Sequence, residues 1–189
     1  ETGEGQYIDL ALLDTQVSWL ANQNMNYLIG GEVPERYGTA HPNIVPYQSF
    51  VTQDGEVMLA VGNDRQFKAC VIVLGLAALA NDPRFITNHL RVKNRDILLS
   101  LLCPAFISQT SDYWLLALAK VKVPCGPINN LAQVFADKQV QHRNMQFELE
   151  HPSAGKVPMV ANPVKFSKTP IEYHKAPPQL GADTEAVLS

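Results

Sequence analysis

Tyr47-Gln48-Ser49-Phe50-Val51, Asp54-Gly55, Val57-Met58-Leu59-Ala60-Val61 and then Gly62-Asn63-Asp64-Arg65 is the stretch that decides the fold. Its first part alternates apolar and polar residues, Asp-Gly supplies a tight turn, and the second part returns apolar, which predicts an antiparallel hairpin. Gly62 to Arg65 breaks the strand pattern, and a helix starts near Gln66 with Phe67, Cys70, Val71 and Leu74 inward and Gly75 as its stop. Further on, Thr87 caps a helix holding Leu90, Ile97, Leu98, Leu101 and Leu102, with Pro104 near its end. Ser111-Asp112 opens another through Trp114 and Leu118, which Pro124-Cys125-Gly126-Pro127 stops. A short helix follows from about Asn130 to Ala136. Strands are expected at Met145–Glu150, Lys156–Val160 and Val164–Ser167, with a turn at His151 to Gly155. Upstream of the hairpin, Gly31 to Pro46 is a proline-broken linker. Before it, Leu10, Leu13, Val17 and Leu20 recur at helical spacing, which predicts one helix over Tyr7–Gly30, roughly 36 Å long at 1.5 Å per residue. Hairpins mixed with helices give an α+β class: a two-layer small domain with an antiparallel sheet, preceded by a long helix and followed by a C-terminal arm. The expected division is a linking helix over 1–32, the small domain over 33–144, and strands and tail over 145–189.

Composition narrows the function classes. The 189 residues are 46% hydrophobic and 17% charged, enough to build a core. Fifteen Lys and Arg stand against eighteen Asp and Glu, for a net charge of -3. That balance gives no footprint for nucleic acid. No apolar run reaches the length of a membrane span, and no export signal opens the chain. The three cysteines, Cys70, Cys103 and Cys125, show no paired spacing and suit a reducing, cytoplasmic setting. No metal-ligand spacing is present. The chain starts without Met, and Glu1 to Gln6 runs straight into the helical pattern, as a turn between two elements would. A fragment of a longer protein is therefore expected.

Several residues carry candidate chemistry. Gly62 to Gln66 joins a buried strand to a helix N-terminus, where free N–H groups and the helix dipole favour an anion or a polarised carbonyl. The same residues also read as a plain turn with Asp64 as N-cap. His41 lies in a loop able to face a site. Arg91 and Arg95, four apart on one helix, suit a phosphate clamp; a solvated face shared with Asp96 fits the same spacing. Cys125 reads as packing in a rigid turn, Cys70 and Cys103 as core, and Trp19 and Trp114 as core.

The order of certain motifs resembles the second half of the family III CoA-transferases, a family that includes formyl-CoA, carnitine-CoA and glutarate-CoA transferases and the α-methylacyl-CoA racemases. The matching stretches are Gly3 to Asp14, Arg36-Tyr37-Gly38-Thr39-Ala40-His41-Pro42, Val45 to Phe50, Ala60-Val61-Gly62-Asn63-Asp64-Arg65-Gln66-Phe67, Asn81 to Phe85, Asn88 with Arg91 to Arg95, Val123-Pro124-Cys125-Gly126-Pro127-Ile128-Asn129, and Pro178 to Gly181 with Thr184.

The resemblance implies covalent catalysis: an aspartate attacks an acyl-CoA thioester, CoA departs and returns, and a second carboxylic acid accepts it through an enzyme-bound thioester. It assigns Gly62, Asn63 and Asp64 to a supporting loop over that aspartate, with Gln66 beside them; His41 and Arg91, singled out above by position, complete the substrate-binding candidates. The nucleophile itself matches no residue here, because in such proteins it lies in a Rossmann-like first half and the chains are about twice as long. Ala182-Asp183 also departs from the family's C-terminal signature. Coenzyme A would be a substrate, with no permanent cofactor and no metal. Acyl-CoA, carboxylic acids, the missing half and a second copy in a homodimer would be the partners. Two further readings stay open: a non-catalytic CoA-binding or assembly module, and an acyl-CoA racemase of the same fold, in which Asp64 is the nearest match to an acidic proton-transfer residue.

Overall fold

The computed structural model describes residues 3–189. They divide into two compact units, one ending at Ile128 and one running from Asn129 to Ser189, so the division falls ahead of residue 145.

In the first unit the hairpin forms as its pattern dictates. Strands β1 (Tyr47–Val51) and β2 (Glu56–Ala60) pair antiparallel, with Tyr47 opposite Ala60 and Val51 opposite Glu56. Phe50, Val57, Leu59 and Val61 point into the core and are almost fully buried. Helix α3 (Asp64–Val73) follows, burying Phe67, Cys70 and Val71, and Gly75 ends the turn at φ 74°, a backbone state that glycine adopts without a steric cost. A 3-10 turn over Ala77–Asn81 leads to α4 (Asn88–Lys93). The expected single helix from Thr87 is two, because the chain kinks at Asn94 before α5 (Arg95–Ile107). Pro104 lies inside α5 on its exposed side and not at its end. Leu98, Leu102 and Phe106, four apart, form its buried face. That spacing turns Cys103 outward, so this thiol is exposed and not core.

Helix α6 (Ser111–Lys120) closes the layer with Trp114 and Leu118. The Trp114 indole N–H donates to the Phe106 carbonyl at 2.7 Å, and the Phe106 ring stacks on Phe50 with centroids 4.4 Å apart. Helices α5 and α6 thus pack on the sheet through three aromatic rings. The Pro124-Cys125-Gly126-Pro127 segment, expected only as a turn, adds a short third strand, β3 (Cys125–Pro127), beside β2, with Leu59 opposite Cys125. It is an edge strand, where a proline is tolerated.

The upstream helix is not continuous. Helix α1 covers Leu12–Trp19 and α2 covers Asn22–Gly30, with no regular structure over residues 4–11. The break has a local cause: Asn24 Nδ2 donates to the Val17 carbonyl at 2.7 Å, competing with the backbone ladder, and Ala21 sits at φ 45°. No residue of either helix is buried, and Trp19 is 78% exposed, so it is not a core residue within these residues.

The second unit holds α7 (Leu131–Ala136), α8 (Lys138–His142), the hairpin β4 (Gln146–His151) with β5 (Gly155–Val160), and α9 (Thr184–Leu188). Asn130 and Gln133 form a reciprocal capping box on α7. Gln146 pairs with Val160 and His151 with Gly155. Residues 164–167 are not a strand: Asn162 Oδ1 accepts the Val164 N–H at 2.8 Å, an Asx turn that diverts the chain from the hairpin.

Candidate functional site

The end of the β1–β2 hairpin opposite its Asp54-Gly55 turn gathers most of the candidate residues. Tyr47 begins β1 there, Ala60 ends β2, and they face each other in register. Val61 continues the ladder by donating to the Pro46 carbonyl at 3.1 Å. The next residues form the loop into α3. Asn63, not Asp64, is the N-cap: its side-chain oxygen accepts the Gln66 N–H at 2.9 Å. Gln66 returns the favour one residue earlier, with Oε1 accepting the Gly62 N–H at 2.8 Å and Nε2 donating to the Lys122 carbonyl at 3.4 Å. The expected free donor at Gly62 is therefore already paired. The amides of Asn63, Asp64 and Arg65 remain, at the point where the α3 dipole is positive. Gly62 itself has no positive φ, and a Cβ there would meet only Gln66 Oε1 at 3.4 Å.

His41 lies at this same end. Its N–H donates to the Tyr47 carbonyl at 2.8 Å, and its ring stacks on Tyr47 with centroids 5.4 Å apart. The Asn43 N–H donates to His41 Nδ1 at 3.0 Å, so a neutral ring carries its proton on Nε2. Residues 41–45 form a strap across α4 and α5. Asn88 accepts the Val45 N–H and donates to the Asn43 carbonyl, while Arg95 Nη2 donates to the carbonyls of His41 at 2.9 Å and Pro42 at 2.6 Å.

Arg91 differs from both of its sequence-level readings. It is neither a solvated face nor a surface clamp, because it is 0% exposed. Its guanidinium donates to the Val45 carbonyl at 2.7 Å, the Phe85 carbonyl at 2.9 Å and Asp64 Oδ1 at 2.8 Å, and sits 4.4 Å over the Phe67 ring. It has no face left for a substrate. Burial pushes its pKa down, and the Asp64 hydrogen bond and charge push it back. No surface pattern could have found this, since an arginine at helical spacing usually reads as solvated.

Cys125 is part of the sheet, in β3, and burial pushes its thiol up to about 11, so it is not a thiolate near neutral pH. Cys70 is pushed up to about 12 by the same cause. Among the described residues no group of three or more His, Cys, Asp or Glu is arranged to hold a metal ion, and no helix is long and apolar enough to cross a membrane. A groove of about 420 Å³ in the second unit is lined by Pro178, Gln179, Thr184 and Leu188 and contains none of the candidate residues.

The family model described as CoA-transferase family III matches residues 1–184. The chain is 44% identical over 188 residues to the succinate–glutarate CoA-transferase of Agrobacterium fabrum, all of this chain aligning with 47% of that protein. It is 41% identical over 188 residues to the human succinyl-CoA:glutarate CoA-transferase, again across this whole chain and 43% of that one. Its fold superposes on the crystal structure of a CAIB/BAIF family protein from Brucella suis with a TM-score of 0.77 and 43% identity, over 99% of this chain and 48% of that chain. The chain thus spans about half the length of the relatives it matches.

Proposed function

Because the chain belongs to CoA-transferase family III, we propose that the protein carrying it moves CoA between carboxylic acids, and that these residues supply a supporting part of the site while the nucleophilic aspartate lies outside them. The identity along the entire chain to two transferases named for succinate and glutarate is the observation that carries this reading. It favours short dicarboxylic acids as donor and acceptor.

Four bond exchanges account for the reaction. The aspartate oxygen attacks the thioester carbon, a C–O bond forms, the C–S bond breaks, and CoA leaves as thiolate. The thiolate attacks the aspartyl carbonyl of the mixed anhydride and releases the first acid as carboxylate. The second carboxylate attacks the resulting aspartyl-CoA thioester and displaces CoA again. The thiolate then attacks the new acyl carbon, which frees the aspartate. Each attack puts negative charge on a carbonyl oxygen. Backbone N–H groups aimed at that oxygen lower the barrier, and one such donor is worth about 3–4 kcal/mol. The unpaired amides of Asn63 to Arg65, with the α3 dipole behind them, are donors of this kind. Asn63 and Gln66 hold the loop that carries them. His41, with Nε2–H at the same end of the sheet, is a candidate donor to a substrate carboxylate.

Coenzyme A is a substrate in this scheme, and a homodimer is its working form. The test is an exchange assay on the full-length protein with succinyl-CoA and labelled glutarate. Labelled glutaryl-CoA is expected, and the 189 residues alone should form none. No exchange with any short dicarboxylate, or solvent deuterium entering the α-carbon of an acyl-CoA without transfer, would overturn the reading.

A further inference from the structure

Arg91 is the largest fully buried side chain in the described residues, and each of its three nitrogens serves a different segment. One holds the strap at Val45, one the turn at Phe85, and one the carboxylate of Asp64. A buried cation needs a partner, or its desolvation cost goes uncompensated. The partner here is half exposed, with 49% of the Asp64 side chain facing solvent. The asymmetry matters. An exposed ion pair is normally loose, because both side chains can swing away. Arg91 cannot swing, since Val45, Phe85 and the Phe67 ring fix it, so Asp64 is the member that is held. Asp64 is also the first residue of α3. Pinning its side chain pins the start of the helix and the direction of the amides at 63 to 65. Pairing also counters a charge that would otherwise repel an incoming anion at the helix N-terminus.

Its neighbours on α4 and α5 extend the grip. Asn88, Arg91 and Arg95 lie at successive turns, and between them they bond the carbonyls of His41, Pro42, Asn43 and Val45. Helix α4 and the first residue of α5 therefore hold both the strap that bears His41 and the loop that bears Asp64.

We infer that Arg91 is a positioning residue for the transfer site, acting through Asp64 to fix the Gly62–Arg65 loop and through Val45 to fix the His41 strap against it. This rests on the reading of that loop as part of the site.

The test uses the full-length protein with Arg91→Lys, which keeps the charge but not the three-way geometry, Asp64→Asn, and the double variant. Two measurements are made. The first is amide hydrogen exchange. In Arg91→Lys, exchange at Gly62 and Gln66, whose amides are hydrogen-bonded within the loop, should quicken about tenfold, with Val57 and Leu59 unchanged; equal quickening at all these positions would mean a general structural role and overturn the inference. The second is steady-state transfer. kcat should fall by at least tenfold in Arg91→Lys with KM for the acyl-CoA within about threefold. Asp64→Asn added to Arg91→Lys should cost little more, because both break one link. Additive losses, or kcat within twofold of the parent, would overturn it. Where the parent protein shows no transfer at all, the functional reading fails, and the exchange measurement alone decides whether Arg91 orders the loop. Where Arg91→Lys does not fold, Asp64→Asn carries the same exchange comparison at the exposed end of the pair.

Discussion

Gly62 is the residue at which the fold and the proposed site can be separated. It needs no glycine for its backbone, and a methyl there meets only the tip of Gln66 at 3.4 Å. Gly62→Ala should therefore change stability by less than about 1 kcal/mol, as a compatible glycine replacement does. If a thioester passes over this loop, the same methyl should cost at least tenfold in kcat/KM for acyl-CoA transfer. Thermal unfolding and steady-state transfer on one preparation check both halves. Asp54 gives a second prediction at this scale. The Ser111 N–H, 2.8 Å away, leads the causes that hold its carboxyl below the usual carboxylate range, with the Ser111 and Thr52 hydroxyls adding to it. A lowered folded value means stability that is complete above the unfolded pKa of about 3.9 and lost as pH falls through the folded value. Asp54→Asn should flatten the fall in melting temperature below about pH 4, measured by calorimetry across pH. The sequence placed these residues unevenly. Gly62 to Gln66 was legible because a strand pattern stops there and a helix pattern starts. Arg91 was not, since its spacing from Arg95 says that the two share a helix face and not that the face is buried.

Among the elements, α5 carries the core and a flaw together. Leu98, Leu102 and Phe106 face inward, and Pro104 sits between them on the outer side without an N–H for the ladder. Helix-interior proline is less favourable than alanine by about 3 kcal/mol, partly offset because alanine loosens the unfolded chain. Pro104→Ala should raise the unfolding midpoint in denaturant, by about 1–2 kcal/mol in net stability. No change or a loss would mean that α5 is already adapted to the missing N–H at this position. Hairpins β1–β2 and β4–β5 were legible, because alternation and an Asp-Gly or Ser-Ala-Gly turn are local signals. Strand β3 was hidden, since a strand of three residues between prolines is defined by its partner β2 and not by its own pattern. The long helix failed for a related reason: periodicity records where apolar residues fall, but Asn24 capturing the Val17 carbonyl breaks the ladder without disturbing the period.

Taken as a molecule, the chain joins a packed small domain to a great deal of uncovered apolar surface. Leu10, Leu12, Leu13 and Trp19 are each more than 70% exposed. Surface of that kind is a mark of an interface, and it accords with relatives about twice as long. The family was legible from the order of its short motifs along the whole chain, although none of them is diagnostic alone. The nucleophile could not be read, because no residue here matches it. The central claim, that the protein transfers CoA through an aspartate outside these residues, is tested most directly by trapping the covalent intermediate. The full-length protein is mixed with succinyl-CoA, quenched in acid within one turnover, and mapped by peptide mass spectrometry. A CoA thioester on an aspartate in a peptide that precedes these residues is the predicted result. A thioester within the 189 residues, or none while labelled glutaryl-CoA still forms, would contradict the account.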